Sequence, residues 1–229
     1  MHGTSRAAAA EGQAALAAAL TPRANAAALA DDLFAILGTL DGSASLRRAL
    51  ADSSRDGVDR QQLAERLFGG RVGKPATAII GSLSAQRWAE DRDLTDTLEV
   101  LAVEAVLAGA EKAGRADAVE DELFRFERTV AGNNDLRDAL SVRNTDGAGK
   151  AGVVERLLSG KAAPETVRLA VQSVRNPRGR RIEKVLESYL ALASERRKEL
   201  SAVVTTAVPL TAQQEARLRS ALETVYDKS

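Results

Sequence analysis

The chain has 229 residues, enough for one large or two modest domains. Lys+Arg and Asp+Glu both number 32, which leaves no basic field to gather nucleic-acid phosphates and no charge excess to hold the chain unfolded. With no cysteine, disulfides, thiolate metal sites and a cysteine nucleophile are excluded, and aromatics at 3% favour helices packed through aliphatic side chains over a sheet.

The first element in chain order is an alanine-rich helix over about residues 5–20. Glu11 interrupts its apolar run and no cluster of positive charges precedes it, so it is not read as a signal peptide. His2 is the sole histidine and leaves no His-centred pair for acid–base or zinc chemistry. Leu29, Leu33, Ile36, Leu37 and Leu40 then fall on one helix face. A short helix around Leu46 and Leu50 follows, then an Asp56-Gly57 turn and a helix carrying Leu63, Leu67 and Phe68, closed by Gly69-Gly70. Pro75 opens the next helix, with Ile79, Ile80 and Leu83 facing inward. Trp88 is read as closing the core at that helix's end, with an interface anchor as the alternative. The long amphipathic helix over 93–113 carries Glu99 and Glu104 and is too short in its apolar run to cross a bilayer.

The same order then repeats. Residues 31–70 align without a gap on 121–160, and fifteen of the forty positions are identical, among them Leu33, Phe34, Asp56, Gly57, Glu65, Arg66 and Leu67. This is an internal duplication. Val119, Leu123, Phe126 and Val130 repeat the first apolar stripe, Gly160 repeats the glycine stop, and Pro164 opens a helix that buries Val167, Ala170, Val171 and Val174. Ile182, Val185, Leu186, Tyr189, Leu190 and Ala193 form the seam of a last long helix. The helix near 93–113 closes the first copy and opens the second. The expected division is therefore one bundle over 1–113, a second over 93–200 sharing that helix, and a short element over 201–229. In the last, "SAVVTTAVPL" reads as a strand, and Thr211 with Gln214 as a capping box that opens a helix.

Candidate chemistry is thin. "DGAGKAG" at 146–152 lacks both the earlier glycine and the hydroxyl residue after Lys150 that a phosphate loop needs, so it is read as a turn and helix start. Asp31-Asp32 and Asp121-Glu122 are read as acids at helix starts rather than as an acid–base pair. "NPRGRRIEK" and "SERRKEL" are basic but interleaved with glutamate and free of stacking aromatics, which favours a solvated face or an acidic partner helix over nucleic acid. No catalytic residue, metal or cofactor is expected.

The order of elements and the tail carry a resemblance. Gly179-Arg180-Arg181 at the start of a helix, then Ala207-Val208-Pro209-Leu210, then Thr211 to Gln214, resemble the delta subunits of bacterial F-type ATP synthases, a family related to the mitochondrial oligomycin-sensitivity-conferring protein. The alanine-rich body is similar to the enlarged actinobacterial members with an extra helical unit. The resemblance implies a mainly α fold, a duplicated helical bundle followed by a short, incomplete α/β element. It also implies a non-catalytic stator at the cytoplasmic face of a bacterial membrane, reaching the membrane only through partners. Those partners are the N-terminal helices of the F1 α subunits, held by the helical domain, and the b subunit of the stalk, held by the C-terminal domain. Candidate partner contacts are Trp88, Gly179, Arg180, Arg181, Pro209 and Leu210. The family's Gly-Gly step and Asp-Gly-Ser turn have no counterpart before Ser229, so an impaired grip on the stalk is expected. From another class, a free-standing helical adaptor for an amphipathic peptide is the alternative.

Overall fold

Side-chain caps and glycine stops cut the described residues up to Leu200 into eleven helices. The computed structural model describes residues 3–141, 147–200, 211, 213–215, 217, 218 and 221. The helices are α1 (Gly3–Ala19), α2 (Ala26–Asp41), α3 (Ala44–Ala51), α4 (Gly57–Phe68), α5 (Lys74–Ala85), α6 (Asp91–Lys112), α7 (Ala116–Gly132), α8 (Asn134–Ser141), α9 (Gly147–Leu158), α10 (Pro164–Arg175) and α11 (Ile182–Leu200). The fold is mainly α. The strand expected over 201–210, with Pro209 and Leu210, lies outside the described residues. The Thr211 capping box is present: the Thr211 amide donates to Gln214 Oε1 at 2.9 Å, and the Gln214 amide returns to Thr211 Oγ1 at 3.4 Å.

The duplication holds helix by helix. Adding 90 to the first residues of α2, α3, α4 and α5 gives those of α7, α8, α9 and α10. The caps correspond as well: Ser43 Oγ accepts from the Leu46 amide before α3, and Asn133 Oδ1 accepts from the Leu136 amide before α8. Gly70 and Gly160, one at each stop, have φ of 76° and 69°, the left-handed region that favours glycine. Asp56 and Gly57 form a helix cap, Asp56 Oδ1 accepting from the Val58 amide at 2.8 Å. A Cβ on Gly57 would stand 2.6 Å from the Ala85 carbonyl oxygen, and one on Gly147 would stand 2.5 Å from that of Arg175. In both copies the start of the fourth helix crosses the end of the fifth too closely for a side chain, and Gly147 is the residue of "DGAGKAG" at this crossing.

The compact units are Met1–Ala193 and Ser194–Ser229. Within the first, all five residues of the α2 stripe are buried, as are Val119, Leu123, Phe126 and Val130 of α7, and both stripes belong to one continuous apolar core. α6 is buried nearly all round, from Leu94 to Ala110, because it packs on α1, α2, α3, α7 and α10.

The acid pairs sit differently from the expectation. α2 begins at Ala26 and α7 at Ala116, so Asp31-Asp32 and Asp121-Glu122 lie beyond the first turn. Asp32 Oδ2 instead accepts from the Gly73 amide at 2.9 Å, and Glu122 Oε2 from the Ala163 amide at 2.8 Å. Each is a clamp on the N-terminus of the fifth helix of its own copy, 41 residues away in sequence.

Candidate functional site

The polar chemistry of the body gathers where the second copy meets the first. The link between α10 and α11 contains Pro177, Arg178 and Gly179, and both Arg178 (φ 55°) and Gly179 (φ 78°) are left-handed. A left-handed arginine is strained, and the strain is offset by what its guanidinium reaches. Arg178 pairs with Asp41 at 3.0 Å, Asp96 at 2.8 Å and Glu99 at 2.9 Å, and donates to Thr95 Oγ1 at 2.6 Å. Asp41 ends α2 and the other three residues are on α6, so one side chain of the second copy ties two helices of the first.

Glu99 is the hub. Its side chain is 6% exposed and accepts from Arg178, Arg180 and the Tyr189 hydroxyl, the last at 2.9 Å. A carboxylate this buried is stable only because three donors replace water, two of them cationic. Burial by itself would lower the Arg178 pKa, but Asp41, Glu99 and Asp96 outweigh it and raise it, so the guanidinium stays charged. Burial first, and then Glu99, push the Tyr189 phenol well above the ordinary tyrosine range.

The Tyr189 shift has a sign. A pKa raised in the fold contributes stability that is complete below the unfolded value of about 10 and declines above it, as the unfolded chain releases a proton that the folded chain retains. Urea midpoints measured from pH 8 to 11 are therefore expected to fall more steeply above pH 10 for the parent chain than for Tyr189→Phe. Parallel curves would show that Tyr189 is not responsible.

Of the predicted contacts, the structure brings Arg180 into this cluster, while Arg181 is exposed beside it and Gly179 supplies the turn. The run "NPRGRRIEK", read as a solvated face or as meeting an acidic partner helix, places Arg178 and Arg180 on Glu99 of α6 in the same chain and leaves Arg181 exposed. Trp88 is 5% exposed and donates its indole N–H to the Leu83 carbonyl at 2.9 Å. Trp88 and Arg178 are 90 residues apart and therefore hold the same place in the two copies. One copy seals that link with an indole in the core, the other with a guanidinium across the junction.

Sequence reasoning did not single out Arg60, Arg178 or Tyr189 for polar roles. Arg60 is 2% exposed and donates to five main-chain carbonyls: Asp52, Arg55, Ser84, Ala85 and Gln86. Lys150, its counterpart in the second copy, is 7% exposed. A basic residue at the same repeat position, four residues after Asp56 or Asp146, was the available signal. A second ionic strut, Arg168 to Asp31 at 2.7 and 2.9 Å, joins α10 to α2. Among the described residues no group of three or more His, Cys, Asp or Glu could hold a metal ion, and no helix is long and apolar enough to cross a membrane.

This arrangement ties the link after α10 to α2 and α6. The family model for the ATP synthase delta (OSCP) subunit matches residues 103–229. The chain is also 45% identical to the ATP synthase subunit delta of Kineococcus radiotolerans over 206 residues, 90% of this chain and 75% of that protein. The chain belongs to the ATP synthase delta (OSCP) subunit family. It is 48% identical to the Streptomyces avermitilis subunit delta over 200 residues, 87% of this chain and 73% of that protein. For the Nocardia farcinica subunit delta the identity is 44% over 230 residues, 100% of this chain and 85% of that protein. The delta-family match begins inside α6, so the second copy and the tail correspond to the family model and the first copy precedes it. The Nocardia alignment runs through both copies.

Proposed function

We propose that this chain is a non-catalytic stator subunit of a bacterial F1Fo ATP synthase, part of the peripheral stalk on the cytoplasmic face of the membrane. It links the α subunits of the F1 head to the b subunit, so that proton-driven rotation is coupled to ATP synthesis. The supporting observation is the 45% identity to a delta subunit across 90% of the chain. The physical arrangement suits the task. A stator must not yield under rotor torque, and a close-packed core crossed by buried, multiply bonded charges deforms little.

In this reading the body is two bundles over 1–113 and 93–200 sharing α6, followed by the element at 201–229. Trp88, Gly179 and Arg180 act on partners by fixing the body, while Arg181, Pro209 and Leu210 are candidate direct contacts. The test is reconstitution. The purified chain is expected to bind both F1 and the soluble part of b, and its removal to abolish proton-coupled synthesis while F1 still hydrolyses ATP. Binding to neither partner, with coupled synthesis intact in its absence, would overturn the reading.

A further inference from the structure

α1 and α6 hold the same place in the two copies. α1 packs on α5 as α6 packs on α10, and Ser5 meets the link before α6 as Thr95, 90 residues on, meets the link before α11. What they bury there differs. α1 buries Ser5, Ala8, Gly12 and Leu16, and the matching residues of α6 are Thr95, Leu98, Ala102 and Val106, all buried as well. Three of these four positions are smaller on α1, and Leu16 is its one large buried side chain. Apolar grip scales with the area removed from water, so α1 is held less firmly than the helix in the same place in the other copy.

The polar groups under α1 also favour its release. Thr97 of α6 lies against Gly12, its Cγ2 3.6 Å from where a Cβ would stand, and its buried hydroxyl has no hydrogen-bond partner among the described residues. An unpaired buried hydroxyl destabilises the closed arrangement, and hydration on opening removes that penalty. Ser5, fully buried, accepts from the Ala89 amide at 3.0 Å and donates to Asp93 Oδ2 at 2.5 Å. Ala89 is exposed and Asp93 half-buried, so water can take over both bonds when the helix leaves. Nine of the seventeen residues of α1 are alanine, the strongest helix former, which lets the segment leave and return as a helix. Behind it residues 20–25 are non-helical, and Asn25 caps α2 through the Ala28 amide, so α2 keeps its start without α1.

We propose that α1 is a strap that swings as a preformed helix about residues 20–24 while the other helices stay folded. Ser5 is its catch, and opening uncovers the trough that Leu83, Thr97 and Leu101 form beneath Gly12. The second copy has no such strap, because the helix in that place, α6, packs on helices of both copies.

The test is native-state hydrogen exchange on the full chain, read by mass spectrometry. Amides of α1 are expected to exchange at least about a hundredfold faster than those of α2 and α6. Because the chain has no cysteine, Gln13→Cys with Glu104→Cys, at side chains 2.9 Å apart, gives one pair that a short bismaleimide closes after folding. Closing it is expected to slow α1 exchange at least about tenfold and to leave α2 unchanged. Thr97→Val removes the unpaired hydroxyl at nearly constant volume and is expected to slow α1 several-fold, and Ser5→Ala to speed it. Equal rates in α1 and α2 would mean that α1 leaves only with the whole body, and α1 rates unaffected by the cross-link would mean fraying within the helix. Either result overturns the strap.

Discussion

Arg60→Met is expected to lower the unfolding free energy by about 4 kcal/mol, the largest effect of any single substitution considered for this chain. Arg60 supplies five hydrogen bonds to carbonyls from two separate segments, the α3–α4 link and the end of α5. Methionine fills much of the volume and donates none of them. The acceptors left behind are the costly part, at about 1–3 kcal/mol for each one that water cannot reach. With Arg60 only 2% exposed, little water enters without displacing α5. Arg60→Lys is expected to recover about half of the loss, because an ammonium has three donors and lacks the planar fork. Urea unfolding of the three proteins measures the difference. A loss under about 1 kcal/mol for methionine would mean that water or chain relaxation replaces the guanidinium.

Glu99→Gln is expected to cost about 3 kcal/mol and to loosen the junction of the two copies. The amide can still accept hydrogen bonds, but the charge facing Arg178 and Arg180 is gone, and Arg178 is left with Asp41 and the more exposed Asp96. Removing one member of a buried charge cluster is costly because the remaining charge keeps its desolvation penalty. The exposed pair Arg125–Asp121, with side chains 73% and 53% accessible, is the internal contrast. Its removal is expected to change stability by under about 0.5 kcal/mol. Hydrogen exchange locates the effect: in Glu99→Gln, amides at the start of α11 should lose protection before those of α4 and α5. Uniform loss across the body would mean that the cluster contributes to global stability without acting as a specific lock.

The α2 and α7 stripes, the glycine stops at Gly70 and Gly160 and the prolines opening the fifth helix of each copy were legible because each depends on neighbours within a few residues. Period, cap and left-handed stop are local properties, and a second, independent copy of the pattern confirmed each one. The roles of the charged side chains were not legible in this way. Asp32 and Glu122 read as ordinary helix acids until the amides they clamp, 41 residues onward, are in place. The basic run at 176–184 read as a solvated or partner-facing surface, because nothing near it in sequence indicates that Glu99 waits 79 residues upstream of Arg178.

Length, charge balance, the doubled 90-residue pattern and the tail motif thus determined the class of this protein, its repeat and its family from sequence alone. Tertiary structure alone decided which charges turn inward. A helix forms from interactions within one or two turns, so its code is written locally. An ion pair such as Arg168–Asp31 joins residues 137 apart, and its partner is chosen by how the two copies pack around α6.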